Sequence, residues 1–164
     1  TDAVRHLAPF GFQIAGWSRT EKRINGVQSF FGLDNLKEFL ARTDILICLL
    51  PLTPETHGIL NAETLSQLPK GAYVINSGRG LQIDQENLLV ELDNGHIAGA
   101  ALDVFCTEPI PKNSPIWDHP KIIVTPHIAS LSSAQSAAQN IAENIRRIRR
   151  GETPNDLVDF NTGY

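Results

Sequence analysis

The sequence predicts a doubly wound α/β fold on a parallel sheet, Rossmann-like, and three observations carry that expectation. Runs rich in Ile, Leu, Val and Ala recur along the 164 residues and are nearly continuous instead of alternating, the pattern of strands covered on both faces. Stretches with helical spacing separate these runs, as in a βαβ chain. Three polar residues, Arg79, Glu108 and His127, each stand just past the end of a different apolar run. They would gather along one carboxyl edge, where open α/β sheets bind ligands.

The elements follow in order. Residues 1–9 read as the back half of a helix, followed by Gly11 and a strand over 12–17 (FQIAGW). A short run over 27–31 (VQSFF) reads as an extra edge strand, and 33–42 as a helix with Asp34 as its N-cap. The run ILICLL over 45–50 is a strand and 61–67 a helix. A strand over 72–76 (AYVIN) leads to a helix over 84–94, capped by Asp84 and stopped at Gly95. Strands over 99–105 (GAALDVF) and 122–125 (IIVT) follow, then a long helix over 132–150 with Ala and Ile on one face. Its basic end, RRIRR, suits the negative pole of a helix C-terminus, with Gly151 as the stop.

The opening of the sheet is missing from this pattern. A dinucleotide-binding unit begins with a strand and a G-x-G-x-x-G turn whose N–H groups receive a pyrophosphate. Here the one G-x-G, Gly78-Arg79-Gly80, lacks the third glycine and follows a later strand. The expectation is a C-terminal portion of a longer polypeptide, with 1–130 a partial dinucleotide-binding domain.

Composition narrows the function. A net charge of −4 argues against nucleic acid or an anionic membrane surface as a partner. No apolar stretch is long enough to span a bilayer, and the first residues lack a signal peptide's regions. Cys48 and Cys106 are far apart without C-x-x-C spacing, which suggests reduced thiols, acting as small core residues in a cytoplasmic chain. No His/Cys/Asp/Glu cluster has metal spacing, so no metal is expected, and no Ser sits in a nucleophile elbow.

The chemistry is concentrated at the strand ends. A guanidinium, a carboxylate and an imidazole at one edge make a carboxylate anchor and a tuned acid/base, a set that suits reduction of a 2-oxo acid. His6, His57, His96 and His119 do not follow a core strand as His127 does. After the first strand, where an NAD-binding unit carries an acidic residue, stand Ser18, Arg19 and Thr20. Arg19 can pair with a 2′-phosphate that a carboxylate would repel, and the two hydroxyls can donate to it. This favours NADP over NAD; the duller alternative is a solvated loop arginine.

The segments LLPLTPETHGILN (49–61), LPKGAYVINSGRG (68–80), ALDVFCTEPIPKNSPIWDHP (101–120) and TPHIA (125–129) resemble the D-2-hydroxyacid dehydrogenases, in order and over nearly the whole chain. GWSRT (16–20), the long helix after TPHIA and the terminal Gly163-Tyr164 are similar to the glyoxylate/hydroxypyruvate reductase A branch. The resemblance implies roles. Arg79 would bind the substrate carboxylate, His127 would exchange a proton with the carbonyl oxygen, and Glu108 would pair with the far imidazole nitrogen. Gly80 would let the backbone approach the substrate. Asp103 would lie near the nicotinamide, with Asn76, Ser77 and Gly78 in the turn beside it. Pro51 and Thr56 would belong to a loop passing the adenosine side.

Residues 131–164 would return toward a substrate domain outside this chain and help form a homodimer, and Trp117 would pack near the active-site edge. The implied activity is NADPH-dependent reduction of small 2-oxo acids such as glyoxylate and hydroxypyruvate, with NAD as the other cofactor. The alternatives are a nucleotide-sensing, corepressor-like module of the same fold, or a fragment inactive on its own.

Overall fold

A computed structural model describes residues 2–130, 133–158 and 160. Six strands and five α-helices are formed among them: α1 (Asp2–Leu7), β1 (Ile14–Ser18), β2 (Val27–Phe31), α2 (Leu36–Ala41), β3 (Ile45–Cys48), α3 (Ala62–Ser66), β4 (Ala72–Asn76), α4 (Gln85–Asp93), β5 (Ile97–Leu102), β6 (Ile122–Val124) and α5 (Ala134–Arg149). Every pairing between these strands is parallel. Strands β3, β4, β5 and β6 lie side by side in that order, and β1 pairs with β2 as a separate ribbon.

The local signals work where a side chain can close a helix end by itself. The Asp84 carboxylate accepts the Asn87 N–H at 3.1 Å and starts α4. Gly95, just past the helix, has φ 76°, the left-handed conformation that glycine adopts without steric penalty. Asn61 and Thr64 form a reciprocal capping box on α3. The Ser133 hydroxyl caps α5 by accepting from the Ser136 N–H at 3.0 Å. The expected first residue of that helix, Ser132, lies outside the described residues, as does the Gly163-Tyr164 terminus.

Asp34 is not an N-cap. Gly32 turns the chain at φ 71°, so a 3-10 turn already begins at Leu33 and holds Asp34 inside it. Asn35 takes the cap position of α2 without a side-chain capping bond, its Nδ2 donating instead to the Phe31 carbonyl at 2.7 Å.

The two faces of the four-stranded sheet are buried to different extents. Leu46, Cys48, Val74, Ala100 and Leu102 point into a core closed by Leu65 of α3 and by Leu88 and Leu92 of α4. On the opposite face Ile45, Tyr73 and Ile123 are 43%, 52% and 67% exposed. The physical reason is that the helices packed on this sheet share one core, and α5 buries none of its residues.

The ribbon and the four-stranded sheet flank a cavity of about 830 Å³. Ile14, Gly16 and Trp17 of β1 line one side, and Ile45 and Ile47 of β3 line the other. Two parallel strand edges therefore face each other across an apolar slot.

Candidate active site

Adjacent strands β4, β5 and β6 carry Arg79, Glu108 and His127 on the loops that leave their carboxyl ends. Parallel pairing puts these three loops at one edge, and specific contacts tie them together.

Asn76, fully buried at the end of β4, folds the first loop. Its Oδ1 accepts the Gly78 N–H at 3.1 Å and its Nδ2 donates to the Arg79 carbonyl at 3.2 Å. The exposed Arg79 side chain leans on this turn, with Nη1 donating to the Gly78 carbonyl at 2.8 Å. Gly80 comes next, and a Cβ there would stand 1.9 Å from the Phe105 carbonyl carbon. Only glycine lets the Arg79 loop and the Glu108 loop touch backbone to backbone.

Glu108 uses both carboxylate oxygens. Oε1 accepts the Phe105 N–H at 2.9 Å, and Oε2 lies 2.8 Å from His127 Nδ1. The hydrogen bond to His127 holds the Glu108 carboxyl below its ordinary range, helped by the Phe105 N–H and the imidazole charge. Burial and the Asp103 charge oppose that shift without reversing it. With Nδ1 engaged by Glu108, Nε2 is the ring nitrogen left to meet a ligand.

His127 sits in a strained backbone. Its φ is 54°, uncommon for a residue with a Cβ. The conformation is held from below by Asp103, 4% exposed. Asp103 Oδ1 accepts from Thr125 Oγ1 at 2.5 Å and from the Ile128 N–H at 2.9 Å, while Oδ2 accepts the Ala129 N–H at 2.9 Å. Burial alone would raise the Asp103 carboxyl, but these donors and the charge of His127 outweigh it and keep the group ionised. The observed work of Asp103 is thus to clamp the histidine loop.

The outer loops are closed by short-range hydrogen bonds. Thr56 Oγ1 donates to the Pro51 carbonyl at 2.6 Å and accepts the Thr53 N–H at 2.8 Å, which closes residues 51–56 into a compact turn. The Ser18 hydroxyl donates to the Thr20 carbonyl at 2.8 Å. Glu55 is held below its ordinary range, first by the Thr53 side chain and in lesser part by the charge of Arg19. Arg19 is therefore near enough to the 51–56 turn for the two loops to share an electrostatic environment. Ser77 continues the β4 turn, its N–H donating to the Cys48 carbonyl at 3.2 Å.

Other expected positions divide. Cys48 is buried in the core, but Cys106 is exposed, its thiol directed at the Gly80 carbonyl at 3.4 Å. The expectation that both are core residues fails because β5 ends at Leu102, which puts Cys106 on the active-site loop. Although the residue is exposed, partial burial of its sulfur and the charge of Asp84 raise the Cys106 thiol, so it stays protonated. His119 stands near Asp93 at 3.3 Å, where β5 and β6 begin, away from the site. Trp117 is half exposed and donates to the Pro111 carbonyl at 3.0 Å. Among the described residues no group of three His, Cys, Asp or Glu side chains could hold a metal, and no helix is long and apolar enough to cross a membrane.

One residue of this region escaped the sequence reading. Gln82, fully buried, joins the Arg79 turn to the loop after β3. A polar residue between Gly80 and the capping Asp84 looks like an ordinary surface position, and no spacing distinguishes it.

The model of the family described as D-isomer specific 2-hydroxyacid dehydrogenase, NAD binding domain, matches residues 1–129. The glyoxylate/hydroxypyruvate reductase A of Photorhabdus laumondii is 49% identical over 158 residues, which are 96% of this chain and 50% of that protein. A D-isomer specific 2-hydroxyacid dehydrogenase from Xanthobacter autotrophicus Py2, solved with NADPH and MES, superposes with a TM-score of 0.96 at 49% identity, over 99% of this chain and 67% of that one. The NADPH-dependent glyoxylate/hydroxypyruvate reductase of Sinorhizobium meliloti, solved with NADP and sulfate, gives 0.94 at 40% identity, over 99% of this chain and 53% of that one. The chain spans about half the length of the curated relatives it matches. The parallel sheet, the strand-end loops and the matched region agree: this chain belongs to the D-isomer specific 2-hydroxyacid dehydrogenase family, through its NAD-binding domain.

Proposed function

We propose that this chain is the nucleotide-binding part of an NADPH-dependent reductase of small 2-oxo acids, with glyoxylate and hydroxypyruvate as the substrates. The observation that carries the reading is the 2.8 Å pairing of His127 Nδ1 with Glu108, on the same sheet edge as Arg79. A carboxylate on one ring nitrogen orients the imidazole and leaves the other nitrogen to exchange a proton with a substrate.

Several features suit the cofactor. Gly78 and Gly80 let the β4 turn pack closely against Gln82 and the Phe105 backbone, which fixes the edge where a nicotinamide would lie. Asn76, Ser77, Gly78 and Asp103 would border that ring, and Pro51 and Thr56 the adenosine side. Ser18, Arg19 and Thr20 would receive the 2′-phosphate, which favours NADP over NAD. When bound, the cofactor supplies the hydride.

The chain's own residues supply the rest. Arg79 anchors the substrate carboxylate through its planar fork. Gly80 admits the substrate beside the backbone. His127 delivers a proton from Nε2 to the carbonyl oxygen and takes it back in the reverse direction, while Glu108 engages Nδ1 and fixes the ring's orientation.

Residues 1–130 then form a partial dinucleotide-binding domain. The slot between β1 and β3 supports this, since two parallel edges facing one apolar cavity can accept a further strand. Residues 131–164 would return to a substrate domain and contribute to a homodimer. Exposed Ile141, Ile145 and Ile148 on α5 support such a contact. The two unpaired cysteines fit a cytoplasmic setting.

The test is oxidation of NADPH, with NADH in parallel, by the full-length protein given glyoxylate or hydroxypyruvate. Turnover that prefers NADPH and collapses in His127→Ala is the expected result. Tight NADPH binding without turnover on any 2-oxo acid would overturn it in favour of a nucleotide-sensing module.

A further inference from the structure

We infer that Gln82 is a positioning residue that holds the substrate-anchoring Arg79 and the cofactor-side loop after β3 in one fixed relationship; this rests on the reading of Arg79 as the carboxylate anchor. The side chain is fully buried, and its amide uses its whole hydrogen-bonding capacity. Oε1 accepts the Arg79 N–H at 2.7 Å and faces the Cys48 thiol at 3.4 Å. Nε2 donates to the Leu50 carbonyl at 2.7 Å and to the Pro51 carbonyl at 3.0 Å. Two acceptor and two donor sites are all that a primary amide has.

The orientation of the amide is fixed by these partners. Turning it over would set its NH₂ against the Arg79 N–H and its oxygen against two carbonyls. Such a buried, saturated side chain transmits geometry, since moving one partner breaks bonds to the other. A Cβ on Gly78 would lie 2.2 Å from Gln82 Oε1 and 3.0 Å from the Leu50 carbonyl, so the turn before Arg79 rests directly on the bridge. Leu60 N–H also donates to the Gln82 carbonyl at 2.9 Å, which fixes its backbone. Neither end of the bridge touches a reacting atom; one positions the guanidinium and the other the Leu50-Pro51 wall. Errors on the order of 1 Å in such supports cost about a hundredfold in catalysis.

The experiment uses the full-length protein and two variants. Gln82→Met keeps the volume and removes all four polar contacts. Gln82→Glu keeps an acceptor for Arg79 but sets a carboxylate against two carbonyls until it gains a proton. In Gln82→Met the KM for glyoxylate and the Kd for NADPH should both rise, each about tenfold. In Gln82→Glu the same defects should shrink relative to wild type as the pH falls from about 8 to about 5.5, as the buried acid protonates and donates again.

A purely structural role predicts a lower Tm with KM and Kd both within twofold of wild type and no pH dependence of the difference; that result would overturn the inference. Should neither variant fold, hydrogen exchange in the wild type decides. An Arg79 amide as protected as the core strands supports the bridge, and one that exchanges like an exposed loop refutes it. Absence of turnover in the wild type would instead count against the reductase reading, while the exchange result and the NADPH affinities would still judge the bridge.

Discussion

Glu108 joins two loops through one carboxylate: Oε2 pairs with His127 Nδ1 at 2.8 Å while Oε1 accepts the Phe105 N–H at 2.9 Å. The second contact orients the first. Glu108→Gln keeps an oxygen for Phe105 but presents an amide NH₂ to Nδ1, so the ring loses the acceptor that orients it. kcat/KM for reduction at neutral pH should fall by about 10²- to 10⁴-fold, the range for a displaced general acid. Folding stability should change little, because half-exposed ion pairs contribute on the order of 0–1 kcal/mol. Steady-state rates together with a thermal melt check both halves, and a large loss of Tm would assign Glu108 to structure instead.

Arg79→Lys retains the charge but loses the planar fork that matches a carboxylate. The KM for glyoxylate should rise about ten- to a hundredfold, from the loss of one charge-assisted contact. NADPH affinity, measured by fluorescence titration, should stay near wild type. Equal loss for both ligands would mean that Arg79 mainly shapes its turn.

Asp103 carries a pH signature. Its carboxyl is held below its ordinary range because burial, which would raise it, is outweighed by the donors Thr125, Ala129 and Ile128 and by the His127 charge. In the window between the folded value and the unfolded value of about 3.9 the unfolded chain binds more protons. The contribution is therefore fully present above that unfolded value and is lost as the pH falls through the folded one. Asp103→Asn puts an NH₂ against at least one buried donor and should cost about 1–3 kcal/mol at neutral pH. Urea unfolding across pH should show this gap steady down to about pH 4 and narrowing below it. A gap that widens toward acid would contradict the assignment.

Gly80→Ala should separate the Arg79 and Glu108 loops, since its Cβ would overlap the Phe105 backbone at 1.9 Å. A destabilisation of about 1–3 kcal/mol is expected, with a raised KM for the 2-oxo acid. Gly16→Ala is the control: its Cβ would meet only Val27 Cγ1 at 3.5 Å, and both stability and KM should hold. Denaturant melts and initial rates on the pair distinguish local crowding from a general intolerance of alanine.

Much of this site was legible because the polarity of the chain changes abruptly where strands end. Arg79, Glu108 and His127 each follow an apolar run, and parallel pairing of neighbouring strands suffices to bring such positions to one edge. The caps at Asp84 and Gly95 were legible for a similar reason, since each acts within a few residues of its own backbone. Asp34 misled because a local cap depends on where the turn starts, and Gly32 takes the cap position two residues earlier.

The sequence by itself determined the strand and helix order, the parallel sheet and the identity of the residues on its carboxyl edge, because these follow from local periodicity and from short-range hydrogen bonding. Tertiary structure decided the rest. Asp103 clamps a loop 22 to 26 residues away, and Gln82 reaches carbonyls 31 and 32 residues earlier. Ile45 and Tyr73 read as core yet lie on the face of the sheet away from that core and stay exposed. Each depends on which distant backbone groups come within about 3 Å of one another, and no local pattern in a chain encodes that distance.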